Sequence, residues 1–247
     1  MFSLRLLLLF TAVTLYGCAS VNGPGTSQGG AENDPYESFN RSVYRFNDSF
    51  DNAVFKPVAI VWRDYIPRPL DDAVTNFFSN LDDISVFIND LLQLKWSQSI
   101  ADLGRFSINS TLGIFGLIDV SSRLGLEKHE EDFGQSLAYW GVNSGPYLVL
   151  PFLGPSNLRD ATGRGVDWGV ESQIIQYDTN RTQLQSLAIY AIDTRADLLH
   201  TTTVLEESGA DNYTFIREAY MQQRNYLIHD GKPPEPSFDD LFLDELP

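Results

Sequence analysis

The chain has 247 residues, enough for one large domain with a core of its own. Its 17 Lys and Arg against 33 Asp and Glu leave a formal charge of −16, which argues against nucleic acid or any partner held mainly by phosphate neutralisation. With 43% hydrophobic and 20% charged residues the chain is not disordered as a whole, and its lone cysteine excludes a disulfide framework and a thiolate zinc site.

Residues 1–17 read as a secretory signal. Met1 to Arg5 carries one positive charge, and Leu6 to Leu15 is apolar apart from two threonines, too short a run to span a bilayer. Leu15-Tyr16-Gly17-Cys18 resembles the lipobox of bacterial lipoproteins, in which the cysteine is acylated and becomes the new N-terminus. Cys18 is therefore the expected lipid attachment point, and several acyl chains, at ~0.8 kcal/mol per buried CH₂, would hold it firmly. Cleavage removes Arg5, so the chain from Cys18 onward carries a formal −17. The resemblance to sorted lipoproteins extends to Ala19 and Ser20 after the cysteine, which, in place of Asp, imply outer-membrane delivery. Residues 18–33 have no apolar periodicity and four glycines, a flexible tether with a reach of roughly 20 Å.

From Asp34 the pattern is helical. Asp34, Pro35 and Glu37 look like a capped helix start. Tyr36, Phe39, Val43, Phe46, Phe50 and Val54 recur at spacings of three and four, a stripe expected to face a core, with Asn40, Arg41, Arg45 and Asn47 solvated or capping. Lys56-Pro57 and Pro67-Arg68-Pro69 punctuate the next junctions. Leu70, Ala73, Val74, Phe77, Phe78 and Leu81 mark a further amphipathic helix. Asp82-Asp83 is expected to cap another, with Ile84, Phe87, Ile88, Leu91 and Leu92 buried. A fourth, over about 97–110, turns Ile100, Leu103, Phe106 and Ile108 to one side.

Thr111 to Ile118 is almost wholly apolar and punctuated by glycine, fitting either a buried turn or an interfacial segment. Residues 141–155 hold one short strand or an extended loop. Ser156 is expected to cap a helix towards Val170, a long helix should cover about 182–205, and Asp211 should cap a last one. Residues 230–247 read as an acidic, disordered tail. No second domain boundary is visible, so 34–229 is expected to be one all-α unit.

Chemistry is sparsely represented. Glu127-Lys128-His129-Glu130-Glu131-Asp132 places a histidine beside carboxylates, a pairing used by general bases and zinc sites. Adjacent residues point apart, however, and a solvated, hydrogen-bonded loop is the simpler expectation. No nucleophile elbow, phosphate loop or dinucleotide fingerprint occurs, so no catalytic residue, metal or cofactor is expected. Charge is uneven: residues 35–128 carry a formal −3 and 129–247 a formal −12, which would turn the first half towards an anionic lipid surface.

Four stretches, DPYESFNRSVYRFND (34–48), residues 56–81 from KPVAIVWRDYIPRPL to NFFSNL, LEKHEEDFGQSLAYWGVNSGPYLVLPFLGPSNLRDA (126–161) and DNYTFIREAYMQQR (211–224), resemble the MlaA/VacJ family of outer-membrane lipoproteins. NDLLQ and NSTLGIFGLID add to the match. The resemblance implies a single ring-like bundle of amphipathic helices lying in the inner leaflet of the outer membrane and associated with trimeric porins. It implies a channel that removes misplaced phospholipids from the outer leaflet and passes them to a periplasmic MlaC-like lipid carrier, with no enzymatic step. Such a channel needs an apolar wall and a polar lip. Phe77, Phe78, Leu112, Ile114, Phe115 and Leu117 are then the candidate lipid or membrane contacts. Arg41, Arg45, Arg63 and Arg105 are the candidate headgroup ligands, since guanidinium forks suit phosphate oxygens. A non-catalytic, porin-associated structural lipoprotein is the alternative, and a hydrolase using His129 and Glu131 the third.

Overall fold

A computed structural model of the chain describes residues 34–175, 179–207 and 211–234. The signal segment, Cys18, the tether and the tail from 235 lie outside the described residues. The architecture is all-α, as expected, with one small two-stranded hairpin where a single strand or a loop was expected. Helix α1 (Glu37–Phe50) runs into a π-helical turn (Asp51–Phe55) that joins it to α2 (Lys56–Tyr65). Pro57 lies just past the π-helical turn, whose altered bonding pattern accommodates the N–H that proline lacks inside a continuing helix.

Pro67 opens α3 (Arg68–Leu92), a single helix of 25 residues. The expected break at Asp82-Asp83 does not occur, because the Asp83 carboxylate is taken up in tertiary ion pairs and is not free to cap. Helix α4 (Trp96–Thr111) packs along α3, followed by the short α5 (Val120–Arg123) and α6 (Phe133–Tyr139). The 141–155 stretch forms a hairpin, β1 (Tyr147–Leu150) antiparallel to β2 (Gly154–Asn157), with Tyr147 opposite Asn157 and Leu150 opposite Gly154.

Helix α7 (Leu158–Ile174) is capped by Asn157, whose Oδ1 accepts the Asp160 N–H at 2.8 Å. The expected cap, Ser156, lies one residue earlier and is buried in β2. The long helix expected over 182–205 is two helices, α8 (Asn180–Asp197) and α9 (Leu199–Glu207). The break at Leu198 accompanies the burial of Leu199 against Ala59 and Ala196. Helix α10 (Asn212–Ile228) completes the described chain.

The packings close into a circuit: α1 on β1, β2 on α7, α7 on α6, α6 on α3, α3 on α8, α8 on α2, and α2 through the π-helical turn back to α1. This is the connectivity of a ring-like bundle.

The closure at α1 depends on amides. Asn40, fully buried, donates from Nδ2 to the Tyr147 carbonyl at 3.0 Å and to Asp34 Oδ1 at 2.7 Å, and its Oδ1 accepts the Val149 N–H at 2.9 Å. Seven residues on, Asn47 donates to the Leu150 carbonyl and accepts from the Phe152 N–H, each at 2.9 Å. Two side chains at heptad spacing thus pair with the outer edge of β1 as a neighbouring strand would. Neither Asn40 nor Asn47 is solvated as expected, and Asp34 serves this joint, accepting also from the Tyr213 hydroxyl, instead of capping α1. Asn40→Ala should lower stability by about 3 kcal/mol, because the buried Tyr147 carbonyl and Val149 N–H both lose their partner. A urea titration of wild type and variant measures it.

Much of the expected sidedness is inverted on α1 and α4, and on α3 the expected apolar stripe is for the most part only half-buried. Among the described residues, seven apolar side chains are buried against twenty-one polar or charged ones, while thirty-four large hydrophobic side chains are exposed. On α1, Tyr36, Phe39, Phe46 and Val54 of the expected core stripe lie on the surface. On α4, Ile100 and Leu103 are exposed and Ser99, Asp102, Arg105 and Asn109 are buried. On α3 the buried positions include Asn80, Asp83, Asn89 and Asp90. Leu70 and Leu92 face outwards and Phe87 and Ile88 are only half-buried.

Candidate functional site

The polar interior is built where α3, α4 and the 127–132 segment meet. That segment crosses both helices as a strap, and four of its six side chains are tied to partners on other elements. Lys128 Nζ reaches Asp83 Oδ1 at 2.5 Å, Asp82 Oδ2 at 3.1 Å and the Ser79 carbonyl at 3.1 Å. His129 Nδ1 lies 2.9 Å from Asp102 Oδ2. Glu131 accepts from Lys95 Nζ and Gln93 Nε2, both at 2.7 Å. Asp132 holds Arg224 of α10 through two bonds at 2.5 and 3.0 Å. The strap is hydrogen-bonded as expected, but Glu131 is buried where solvation was expected. His129 and Glu131 are committed to different partners and do not form a nucleophile–base pair. Among the described residues no group of three or more His, Cys, Asp or Glu side chains is arranged to hold a metal.

Arg105 is the centre of this interior. It is 2% exposed, donating to the Leu126 carbonyl at 2.5 Å, Ser122 Oγ at 3.1 Å and Asp119 Oδ2 at 3.2 Å, with Asp83 Oδ2 at 3.8 Å. Asp119 would be raised by burial, but the Ser122 hydroxyl and N–H and then Arg105 hold it down near 2. Burial pushes the Asp83 carboxyl up in spite of Lys128 and Arg105.

The exterior is correspondingly apolar. Phe46, Phe50, Phe55 and Phe152 form one aromatic patch where the hairpin tip meets α1, with ring centroids 5.1–5.4 Å apart for Phe46–Phe152, Phe50–Phe152 and Phe50–Phe55. Phe77 and Phe78 of α3 are half-buried, 5.5 Å apart, and Phe78 meets Tyr190 of α8 at 5.1 Å.

The turn after α4 resolves the two readings of its sequence in favour of exposure. Leu112, Ile114, Phe115, Leu117 and Ile118 all lie on the surface, Phe115 at 79%. Ile114 and Phe115 adopt φ of 54° and 58°, a left-handed conformation that costs non-glycine residues about 1 kcal/mol or more each. A Cβ on Gly113 would stand 2.1 Å from the Ile118 carbonyl, and one on Gly116, itself at φ 88°, would stand 2.7 Å from Asn80. The backbone is strained and stripped of side chains at these glycines to turn apolar groups outward. Exposed hydrophobic residues occur in both halves, twenty before residue 125 and fourteen after, so the apolar surface is not confined to the less acidic half.

The candidate arginines occupy three different settings. Arg105 is walled in and is a structural cation. Arg63 is exposed and bonded to the adjacent Asp64. Arg41 is held by Glu37 and by both Asp211 oxygens, over the face of Tyr213 at 4.3 Å, and among the described residues Arg45 meets only the Ser42 hydroxyl at 3.2 Å. Arg41 and Arg45 line a shallow hollow of about 340 Å³ with Tyr44, Asp48 and Tyr213. The structure therefore brings Arg41 and Arg45 together and leaves Arg63 and Arg105 apart from them. The groups that composition alone did not single out are the interior ones, Asn40, Asn47, Asp83, Asp90 and Asp102. Their trace in the sequence is a second, polar periodicity running beside the apolar one.

The MlaA lipoprotein family model matches residues 32–227. The chain is 37% identical over 250 residues to the "Intermembrane phospholipid transport system lipoprotein MlaA" of Escherichia coli (strain K12), covering 98% of this chain and 97% of the relative. It is 33% identical over 244 residues to the protein of the same name in Haemophilus influenzae, covering 96% of each. A solved structure described as "Structural basis for maintenance of bacterial outer membrane lipid asymmetry" superposes with a TM-score of 0.69 at 34% identity, covering 79% of this chain and 98% of that one. No described helix is long and apolar enough to cross a membrane. Sequence and fold agree over nearly the whole described length, and the chain belongs to the MlaA lipoprotein family.

Proposed function

We propose that this chain is a lipoprotein, anchored through Cys18 at the periplasmic side of the outer membrane, that removes phospholipids from the outer leaflet through an amphipathic channel. It hands them to a soluble MlaC-like lipid carrier in the periplasm, beside trimeric porins, and so maintains lipid asymmetry. The observation that carries the reading is the inverted burial: an ion-paired interior enclosed by an apolar exterior. In water such a surface would drive aggregation. Against acyl chains the same side chains are solvated, and the hollow lined by Arg41 and Arg45 offers headgroups a polar site. The relatives' description as phospholipid transport lipoproteins supports the same reading.

On this reading Phe39, Phe46, Leu112, Ile114, Phe115 and Leu117 contact lipid, and the Phe77–Phe78–Tyr190 group lies at the border of surface and interior. Arg41 and Arg45 are the arginines left for headgroups. The chain's own residues bind and orient, and no covalent step is required of them.

The test is transfer. Purified lipidated protein in vesicles should pass labelled phospholipid to a soluble carrier; a protein that binds porin but passes no lipid would support the structural alternative instead. The anchor has a separate readout. Cys18→Ser should accumulate as unlipidated precursor, and normal processing with membrane retention would rule out Cys18 as the attachment point.

A further inference from the structure

The side chains of Asp90 on α3 and Asp102 on α4 are both fully buried, and their carboxyls meet. Among the described residues no donor reaches either oxygen of Asp90. His129 Nδ1 lies against both oxygens of Asp102, 2.9 Å from Oδ2 and 3.2 Å from Oδ1, and the His129 side chain is about a quarter exposed. The other charged groups facing Asp90 are Glu131 of the strap and Lys95 of the α3–α4 turn. Lys95 cannot neutralise the pair, because its ammonium is already held by Glu131 at 2.7 Å and Asp230 at 2.5 Å. Two ionised carboxylates pressed together in a buried site repel at close range and have lost their water. One proton between them converts that contact into a charge-assisted hydrogen bond.

We propose that Asp90 and Asp102 share a single proton in the folded protein, that His129 connects the pair to solvent, and that losing this proton releases the 127–132 strap from α3 and α4. The proton is held by Asp90, which donates to the Asp102 carboxylate, while His129 donates to Asp102 from Nδ1. This inference concerns a latch within the fold and stands whether or not the chain moves phospholipid.

Burial, and after it the contact with Asp102, raise the Asp90 carboxyl to about 8. An acid raised on folding contributes stability fully below its unfolded value near 4, and loses it as pH rises through the folded value. The latch is therefore closed in mild acid and opens above about pH 8. The strap also carries the Lys128–Asp83, Glu131–Lys95 and Asp132–Arg224 pairs, so its release would loosen α3, α4 and α10 together.

The test compares the full-length lipidated protein with Asp90→Asn, whose amide can donate to Asp102 at any pH. In wild type, amide exchange across 127–132, corrected for its intrinsic pH dependence, should rise at least tenfold between about pH 6 and pH 9. In Asp90→Asn it should change less than twofold. The infrared difference between the two at about pH 6 should contain one protonated-carboxyl band. Flat exchange in wild type would overturn the proposal without any variant. So would an Asp90→Asn protein that keeps the full wild-type rise, or a difference spectrum with no carboxyl band.

Discussion

Arg105→Ala should lower the stability of the folded protein by about 3–5 kcal/mol, the penalty typical of removing one partner from a buried ion pair. The guanidinium is enclosed by Asp83, Asp119, Ser122 and the Leu126 carbonyl, and none of these has another cation in place of it except Lys128 on Asp83. Its loss leaves a cavity, an Asp119 without its cation and an unsatisfied carbonyl at once. Urea unfolding followed by circular dichroism measures the change. The same experiment decides between two roles for this residue. A headgroup ligand, as the sequence suggested, would be replaced with little cost in stability and a loss of lipid binding. A structural cation gives the opposite result, and the urea midpoint should fall steeply. Arg45→Ala is the matching control: its side chain is exposed and, among the described residues, bonded only to Ser42, so stability should change by no more than about 0.5 kcal/mol.

Phe39→Asp combined with Phe115→Asp should leave the fold intact and remove the protein from the acyl-chain region. Both side chains are exposed, so the urea midpoint should move little. Burying a phenyl ring in hydrocarbon is worth about 1.5–3 kcal/mol, so the pair loses at least about 3 kcal/mol, a factor on the order of 100 in partition. The acyl chains on Cys18 would still hold the variant to a vesicle, so the measurement is of depth. Trp96, Trp140 and Trp168 are all exposed. Their emission should be quenched by lipids brominated along the acyl chain in wild type, and quenching should be weak in the double variant. Quenching that is weak in wild type, or equal in both, would show that the apolar exterior faces something other than lipid.

Much of the fold is legible in the residues, but not the sign of its surfaces. Pro67 and Pro69 mark the start of α3, and the apolar spacing from Leu70 to Leu92 marks its axis. The same spacing says only that one face differs from the other. Which face is inside depends on the solvent, and an expectation of water outside assigns Phe39 and Ile100 to the core. The polar stripe of Ser99, Asp102, Arg105 and Asn109 on α4 carries the missing information, since four hydrogen-bonding groups at helical spacing can satisfy one another across a helix pair. The single helix across Asp82-Asp83 was obscured for a related reason: an aspartate is a good cap or a good buried ion-pair partner, and only Lys128 and Arg105, 45 and 22 residues away, decide which. The joint at Asn40 and Asn47 was hidden because an amide beside an apolar stripe looks like a solvated residue until the edge of β1 is placed against it. The family resemblance, by contrast, rested on long contiguous stretches and anticipated the all-α class without needing the surface to be assigned.

The most direct test of the proposed lipid-transport function is made in cells. Outer-leaflet phospholipid should rise when the gene for this chain is deleted and return to the starting level when the wild-type chain is restored. It should stay high with the Phe39→Asp, Phe115→Asp chain, expressed at the same level. An outer leaflet unchanged by the deletion would contradict the account.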